Sequence, residues 1–264
     1  MVLLIGLCCT YCYVFSGYVY FDGLKMIRFS SNYKRHAGVQ SGFTILELAV
    51  VLVIIAVIMG AVSVGGDLKR QADGQKLFLD FITAWNRSFV SYMTKHGGIP
   101  PGDDGATPTY RVLGGANKLL CNTDKNYQLS NFMLASGIQL PNGRSELQPD
   151  HYIYLDKNGL PHDLQVCFMS VDWSIPGSSV NTYSAKMQNV MVVFGMTPEL
   201  AQLIDTMTDG RVDARFGRFR QSLYASKTDS ISLPWSSTAT ANINASDNSL
   251  EGQSVELIAY LLMD

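Results

Sequence analysis

Three evenly spaced aspartates are the first candidates for ligand chemistry in this sequence. Asp205, Asp209 and Asp213 recur every four residues, and Gly210 stands between the second and the third. Oxygen-rich loops that contain glycine can bind Ca²⁺, but full coordination needs more oxygen atoms than three carboxylates supply, and this spacing is not that of an EF-hand. A calcium site is therefore one interpretation of the segment, and a turn at the end of a short helix is the other.

A second candidate is a group of four arginines interleaved with two phenylalanines. On a β-strand, Arg218 and Arg220 would share one face and Phe219 would take the other. Such a face could contact DNA or a partner protein, whereas the alternative is an ordinary solvated strand. The group consists of Arg211, Arg215, Arg218 and Arg220.

The sequence lacks the motifs of common enzyme active sites. His151 and His162 lie near Asp150, Asp163 and Cys167, but without HExxH spacing. Neither a nucleophile elbow nor a glycine-rich phosphate loop stands out. We therefore predict no catalytic activity and no cofactor other than Ca²⁺. The formal net charge of −2 gives no general case for nucleic-acid binding.

Glu47 is the one charged residue in an apolar run at 43–64. These residues would form about 33 Å of helix, which is enough to cross the hydrocarbon core of a bilayer. A carboxylate at membrane depth costs on the order of a few kcal/mol and is usually kept for a function. The alternative is an ordinary membrane anchor with a stray glutamate.

The residues around Glu47 resemble the processing site and N-terminal helix of type IV pilins and type II secretion pseudopilins. The similarity lies in Gly-Phe-Thr-Ile-Leu-Glu at 42–47, followed by an aliphatic helix. In that family a prepilin peptidase cuts after the glycine, and the new N-terminal residue is methylated. The resemblance implies that Gly42 ends a leader and that Phe43 becomes the first mature residue. It also implies that Thr44 and Glu47 serve assembly, with Glu47 meeting the N-terminal amine of a neighbouring subunit.

The resemblance divides the chain into three parts. Residues 1–42 are a leader, 43–96 one long helix, of which 43–64 span the membrane, and 97–264 a globular domain. A short hydrophilic leader would begin at Met26, so the preceding residues are either an upstream extension or a mis-assigned start.

Charge around the apolar run predicts its orientation in a membrane. Basic side chains outnumber acidic ones before it, with Lys25, Arg28, Lys34 and Arg35 against Asp22 alone. Basic flanks stay on the cytoplasmic side. We therefore predict a single-pass protein with a cytoplasmic N-terminus, and the resemblance implies that its membrane is the bacterial inner membrane. The resemblance places its C-terminal domain in the periplasm and then in a pilus or pseudopilus.

Cys121 and Cys167 are the two cysteines that follow the apolar run. In an oxidising periplasm such a pair is a candidate disulfide. A bridge that closes about 45 residues would stabilise the fold by roughly 4 kcal/mol. Two separate buried thiols are the alternative.

Periodicity predicts one long helix followed by short strands. Apolar residues recur every three or four positions from Leu77 to Met93, and two glycines and two prolines then end the helix near Lys95. We predict strands at 152–155, 164–171, 190–194, 217–224 and 255–263, helices at 126–137 and 198–204, and a flexible loop at 226–252. This order is an α+β pattern. The pilin architecture is similar, with the second half of the helix packed on a small antiparallel sheet.

Together these expectations describe a structural subunit without enzyme activity, and a minor pilin or pseudopilin is favoured over the bulk subunit. Its expected partners are a prepilin peptidase, other pilin subunits bound through the helix, and an inner-membrane assembly platform. A pilus-associated adhesin or a DNA-binding minor pilin is the alternative. Motility, secretion and DNA-uptake systems all remain open.

Overall fold

The structure, a computed structural model, describes residues 44–122, 128–143, 148–237 and 255–263. The chain divides into two compact units, Met1–Val53 and Ile54–Asp264. In the first unit the described residues begin a helix, and the second unit contains the rest of that helix and the sheet. The predicted cleavage site at Gly42 and Phe43 and the predicted start at Met26 lie outside the described residues.

One continuous helical stretch runs from Ile45 to Lys95. It comprises α1 (Ile45–Leu77), a π-helical turn (Phe78–Ile82) and α2 (Thr83–Lys95). Its end near Lys95 agrees with the sequence and has a local cause. The N–H of Gly98 donates to the carbonyl of Met93 at 2.7 Å, with Gly98 at a φ of 91°. Glycine adopts this left-handed backbone at little cost because it has no Cβ.

The π-helical turn helps to keep one apolar stripe against the core. Leu77, Phe81, Trp85 and Phe89 follow one another in four-residue steps, and all four are buried. In a regular α-helix each such step advances about 40° beyond a full turn, so the stripe would rotate away from the core. A π turn contains more residues per turn and absorbs part of that rotation.

Five antiparallel strands form one sheet in the order β1-β2-β3-β5-β4. The strands are β1 (His151–Leu155), β2 (Pro161–Pro176), β3 (Tyr183–Met196), β4 (Phe219–Gln221) and β5 (Leu257–Leu262). In the register, Val192 of β3 lies between Cys167 of β2 and Tyr260 of β5. This long helix with a small antiparallel sheet confirms the α+β class.

Both faces of the sheet are covered. On one face the helix packs its aromatic rings, with Phe89 stacked on Phe168 at a centroid distance of 4.6 Å. A second apolar cluster on the other face includes Cys167, Trp173 and Ile258. Burial on both faces replaces the alternating pattern of a half-exposed strand. For this reason β2 and β3 extend beyond the ranges predicted from alternation.

Two short helices complete the described fold, α3 (Leu129–Ala135) and α4 (Pro198–Asp209). The latter begins at Pro198 directly after Thr197, as predicted, although the hydroxyl of Thr197 makes no capping bond. Helix α1 approaches α4 closely at Gly74, where a Cβ atom would lie 2.4 Å from the Leu203 side chain. A larger residue at this position would require the Leu203 side chain to move.

Two predictions for the segment after α4 agree with the structure only in part. The strand predicted at 217–224 is only β4, because a 3₁₀ turn follows at Ser222–Tyr224. The loop predicted to be flexible from residue 226 packs on the core through Trp235, which is 3% exposed. A buried tryptophan supplies the apolar contact that the polar composition around it conceals. The remainder of that loop, from residue 238, lies outside the described residues.

Candidate functional site

Thr44 and Glu47 form a capping box at the beginning of α1. The N–H of Glu47 donates to Thr44 Oγ1 at 3.2 Å. Glu47 Oε2 in turn accepts from the N–H and the hydroxyl of Thr44 at 2.9 and 3.1 Å. These contacts satisfy backbone donors that have no partner within the first helical turn. They also place the carboxylate at the positive end of the helix dipole.

The capping contact was missed in the sequence, although a signal for it was present. A threonine followed three residues later by glutamate, just before an apolar run, is the pattern of a capping box. The sequence assigned Thr44 and Glu47 to assembly, and that role stays a prediction. The structure adds that the two side chains satisfy each other within one chain.

The part of α1 that follows is apolar, and its side chains are exposed. Glu47 is the only charged residue of α1 before Asp67. Side chains such as Leu52, Val57 and Met59 are each more than 60% exposed. By length and composition this helix could cross a membrane, and it is the only helix of that kind in the described part of the chain.

Residues 38–63 match the family of the prokaryotic N-terminal methylation motif. The match includes the predicted cleavage site, the capping box and most of the apolar run. The chain carries the signature of type IV pilins and pseudopilins. This confirms the resemblance seen in the sequence. No curated protein and no solved structure matches the chain.

The motif also bears on partners and location. Pilins that carry it are processed by a prepilin peptidase and assemble with other pilin subunits, and their role is structural rather than catalytic. One apolar helix that begins within the motif fits a membrane-anchored pilin. The architecture described above is therefore pilin-like at both the helix and the sheet.

The aspartates of the predicted calcium site hold the protein's own donors. Asp209 accepts from the N–H of Phe219 at 2.9 Å and from the N–H of Arg218. Asp213 accepts from the hydroxyl of Ser232 at 2.6 Å and from three backbone N–H groups. Burial would raise the pKa of Asp213, but these hydrogen bonds hold it below its ordinary value.

Around these aspartates, the described residues form no set of metal ligands. Within the ranges that the structure describes, no three His, Cys, Asp or Glu side chains come together in a way that could hold a metal ion. Asp205 and Asp209 of α4 instead accept from backbone N–H groups of the segment after the helix, and Asp213 of that segment accepts from the hydroxyl of Ser232. The three aspartates thus have partners within the fold, and calcium binding by them stays a prediction.

The predicted basic surface is not formed, because two of its four arginines are buried. Arg215 and Arg220 expose 1% and 7% of their surface. The guanidinium of Arg220 lies 4.1 Å from the ring centroid of Trp173 and donates to a backbone carbonyl of β2. Burial lowers the pKa of Arg220 to about 10. Arg211 and Arg218 are exposed, and two exposed arginines do not make the four-residue surface that the spacing suggests.

Arg215 fastens the segment that begins at residue 226. It donates to the carbonyl of Lys227 at 2.8 Å, and its Nε lies 3.2 Å from Asp229. Its guanidinium also lies over the ring of Phe216 at 4.5 Å. Arginine presents several donors in one plane and therefore suits a buried position among carbonyls.

The two histidines of the β1–β2 hairpin each lie next to a carboxylate. His151 Nδ1 lies 2.8 Å from Asp163, and His162 Nδ1 lies 2.9 Å from Glu256. Cys167, the neighbouring nucleophile in the sequence, is bonded to Cys121 and presents no thiol. The histidine contacts tie β1 to β2 and β2 to the residue that precedes β5.

Cys121 and Cys167 form a disulfide with a Cα–Cα distance of 4.6 Å. The bond joins the loop before α3 to the middle of β2. Next to it, the backbones of Leu120 and Phe168 exchange two hydrogen bonds of 2.8 and 3.0 Å. Of the two alternatives open in the sequence, the structure contains the bridge.

Proposed function

We propose that this protein is a structural subunit of a type IV pilus or a type II secretion pseudopilus, processed after Gly42 and assembled through its N-terminal helix. The match at residues 38–63 carries this proposal. The lone, capped glutamate at the start of an exposed apolar helix supports it further, because a carboxylate in apolar surroundings needs a partner.

Glu47 would change its partner on assembly. In one chain its carboxylate accepts from Thr44, which lowers the cost of a charge at the edge of the membrane. Cleavage after Gly42 would create an amine at Phe43. In a filament, the amine of a neighbouring subunit would give Glu47 a positive partner among packed helices, where an uncompensated charge is costly. Processing and assembly would thereby be coupled through one ion pair.

The environment of this subunit follows from the same features. We place it first in the inner membrane, with the basic residues before the apolar run on the cytoplasmic side and the sheet domain in the periplasm. A prepilin peptidase, an assembly platform and neighbouring pilin helices are its partners. A minor subunit is favoured over the bulk one. The alternative of a DNA-binding minor pilin loses its basis, because Arg215 and Arg220 are buried.

Three variants separate cleavage, capping and charge. Glu47→Gln keeps a capping acceptor but removes the charge, so we expect normal cleavage and a loss of incorporation into filaments. Thr44→Ala removes the cap and keeps the charge, so incorporation should fall less, since capping contributes only about 1 kcal/mol. Substituting Gly42 with a large residue should block cleavage itself.

Two readouts from the same cells measure these effects. The size of the membrane-bound chain reports cleavage, and its share in the sheared or pelleted filament fraction reports incorporation. Unchanged incorporation of the Glu47→Gln variant would remove the proposed ion pair. Normal cleavage of a Gly42 variant would contradict the assigned processing site.

A further inference from the structure

Strand β1 runs alongside the helix in the opposite direction. At its beginning, the indole N–H of Trp85 donates to the carbonyl of Pro149 at 3.1 Å. One residue into the strand, Tyr152 packs on Phe81 at a centroid distance of 5.2 Å. Past the end of β1, Arg70 Nη1 donates to the carbonyl of Lys157 at 2.7 Å. These contacts place the β1–β2 turn beside the part of the helix that directly follows the apolar run.

The turn is therefore close to the end of the candidate membrane span. Arg70 comes six residues after Val64, which is about 9 Å along a helix. The polar layer on each side of a bilayer's hydrocarbon core is roughly 5–7 Å thick. A helix that leaves the hydrocarbon core at about Val64 thus holds the β1–β2 turn at the outer border of the headgroup layer.

The end of this hairpin is apolar and exposed. Leu155 and Leu160 flank the turn and are 65% and 45% exposed, and Ile153 is 46% exposed on the same strand face as Leu155. The two cations that contact or lie in the turn are paired, Lys157 with Glu199 and Arg70 with Asp67. The chemistry at this end is that of an amphipathic surface: leucines that can enter an apolar layer, beside paired charges that stay in water.

We infer that the β1–β2 hairpin is a second, shallow membrane contact, in which Leu155 and Leu160 enter the headgroup interface of the membrane that holds the apolar helix. This inference rests on the proposed function, since it requires that helix to be membrane-inserted before assembly. The contact adds a second attachment point to the single helix and limits rotation of the sheet domain about the helix axis. On assembly the hairpin leaves the lipid together with the helix.

Fluorescent probes on the full chain in phosphatidylcholine vesicles test this contact. Cys8, Cys9 and Cys12 are replaced by serine, and a single bimane label is placed at Asn158→Cys in the β1–β2 turn. Quenching by lipids with a nitroxide near the headgroup reports proximity to the interface. A matched probe at Ser178→Cys lies in the other exposed turn, at the far end of β2, up to roughly 50 Å away along a strand of 16 residues.

We expect strong quenching at position 158 and none above background at position 178. The pair of substitutions Leu155→Ser and Leu160→Ser should reduce occupancy of the interface at position 158 about tenfold. Val180→Ser, which changes a residue that is 90% exposed in the distant turn, is the matched control and should have no effect. Adding phosphatidylglycerol should not change the quenching, because Lys157 and Arg70 are each paired with a carboxylate.

A third probe at Ile58→Cys distinguishes failure of this inference from failure of the proposed anchor. Quenching at position 58 by a nitroxide deep in the acyl chain, without quenching at position 158, would overturn the hairpin contact and leave the membrane anchor intact. Absence of quenching at position 58 would overturn both. The probe at position 158 could instead become protected from solvent as protein density in the vesicles increases, without quenching by lipids. That result would show that another copy of the chain covers the hairpin, and it would overturn the lipid contact.

Discussion

At the scale of single residues, Asp205 shows how burial changes an ordinary carboxyl group. Its side chain has no exposed surface. Oδ2 accepts from the N–H of Asp213 at 2.7 Å and from the indole of Trp235 at 2.8 Å, while Oδ1 has no hydrogen-bond partner among the described residues. Burial raises the pKa of Asp205 to about 6, and the nearby charges of Asp209 and Asp213 act in the same direction.

This raised pKa predicts that replacing Asp205 with asparagine changes the pH dependence of stability. The folded protein binds a proton that the unfolded chain loses near pH 3.8, so the group's contribution to stability falls as pH rises from about 4 to 6. The relevant quantity is the free energy of unfolding of Asp205→Asn minus that of the unsubstituted protein. This difference should be about 2 kcal/mol more favourable to the variant above pH 6 than at pH 4. Urea unfolding of the full chain in detergent, at a series of pH values, measures this difference.

A matched substitution controls for general effects of charge removal. Asp209→Asn changes a neighbouring carboxyl whose oxygens accept backbone N–H groups. It should lower stability and flatten the dependence between pH 4 and 6 less than Asp205→Asn does, because burial is the main cause of the raised pKa of Asp205 and the Asp209 charge is a smaller one. Parallel pH curves for Asp205→Asn and the unsubstituted protein would show that Asp205 does not titrate in this window.

Residue types alone predicted only part of the site. Glu47 could be recognised because a charge inside an apolar run is anomalous wherever the chain folds. The roles of Asp205 and Arg215 could not, because their partners Trp235 and Lys227 lie 12 or more residues away in the chain. Their spacing along the sequence suggested a metal ligand and a surface cation. In the folded chain both side chains are buried and form hydrogen bonds to distant segments.

At the scale of elements, the π-helical turn allows a specific test. If this turn corrects the direction of the apolar stripe, deleting the exposed Leu79 should convert the π-helical turn to an α-helical one. The apolar sides of α1 and α2 should still face the core. We expect the thermal midpoint to change by less than about 5 °C. Deleting the exposed Arg87 from the regular part of α2 should instead rotate Phe89 by about 100° relative to Trp85 and unfold the domain.

Circular dichroism melts of the two deletion variants in detergent provide the comparison. Both deleted residues are on the solvent side, so neither change removes a core side chain. Equal destabilisation by the two deletions would mean that the π turn tolerates the loss of a residue no better than a regular helix. The turn would then not be what keeps the apolar stripe facing the core.

Elements with strong local periodicity were predicted well, and those shaped by tertiary contacts were not. The helix to Lys95 follows from a local pattern, namely an apolar repeat of three to four residues. The lengths of β2 and β3 do not, because burial of both sheet faces hides the alternation on which strand limits depend. Trp235 in a polar segment illustrates the same limit, since one long-range contact decides its position.

At the scale of the whole molecule, the disulfide connects the loop before α3 to the central part of the sheet. Replacing both Cys121 and Cys167 with serine should lower the free energy of unfolding by roughly 4 kcal/mol, because the bond closes a loop of about 46 residues in the unfolded chain. Urea unfolding of this variant against the oxidised protein measures the loss.

Intact-mass analysis supplies the accompanying control. Reduction and alkylation should add two labels to the oxidised protein at these positions, and alkylation without reduction should add none. Labelling of Cys121 and Cys167 without a reductant would contradict the bond. The reduced, unsubstituted protein should lose the same stability as the serine variant. Equal losses would assign the effect to the bond rather than to the substituted side chains.

The place of β5 in the sheet has a consequence for biogenesis. In the sheet β5 lies between β3 and β4, and β4 joins the sheet only through it. Residues 257–262 must therefore be delivered before the sheet can close, although β3 ends at Met196. Until then the edge of β3 at Val190–Val193 is open and apolar, which is the kind of edge that recruits other strands. Before residues 257–262 take their place between β3 and β4, the folding chain therefore exposes an edge that can pair with strands of other chains.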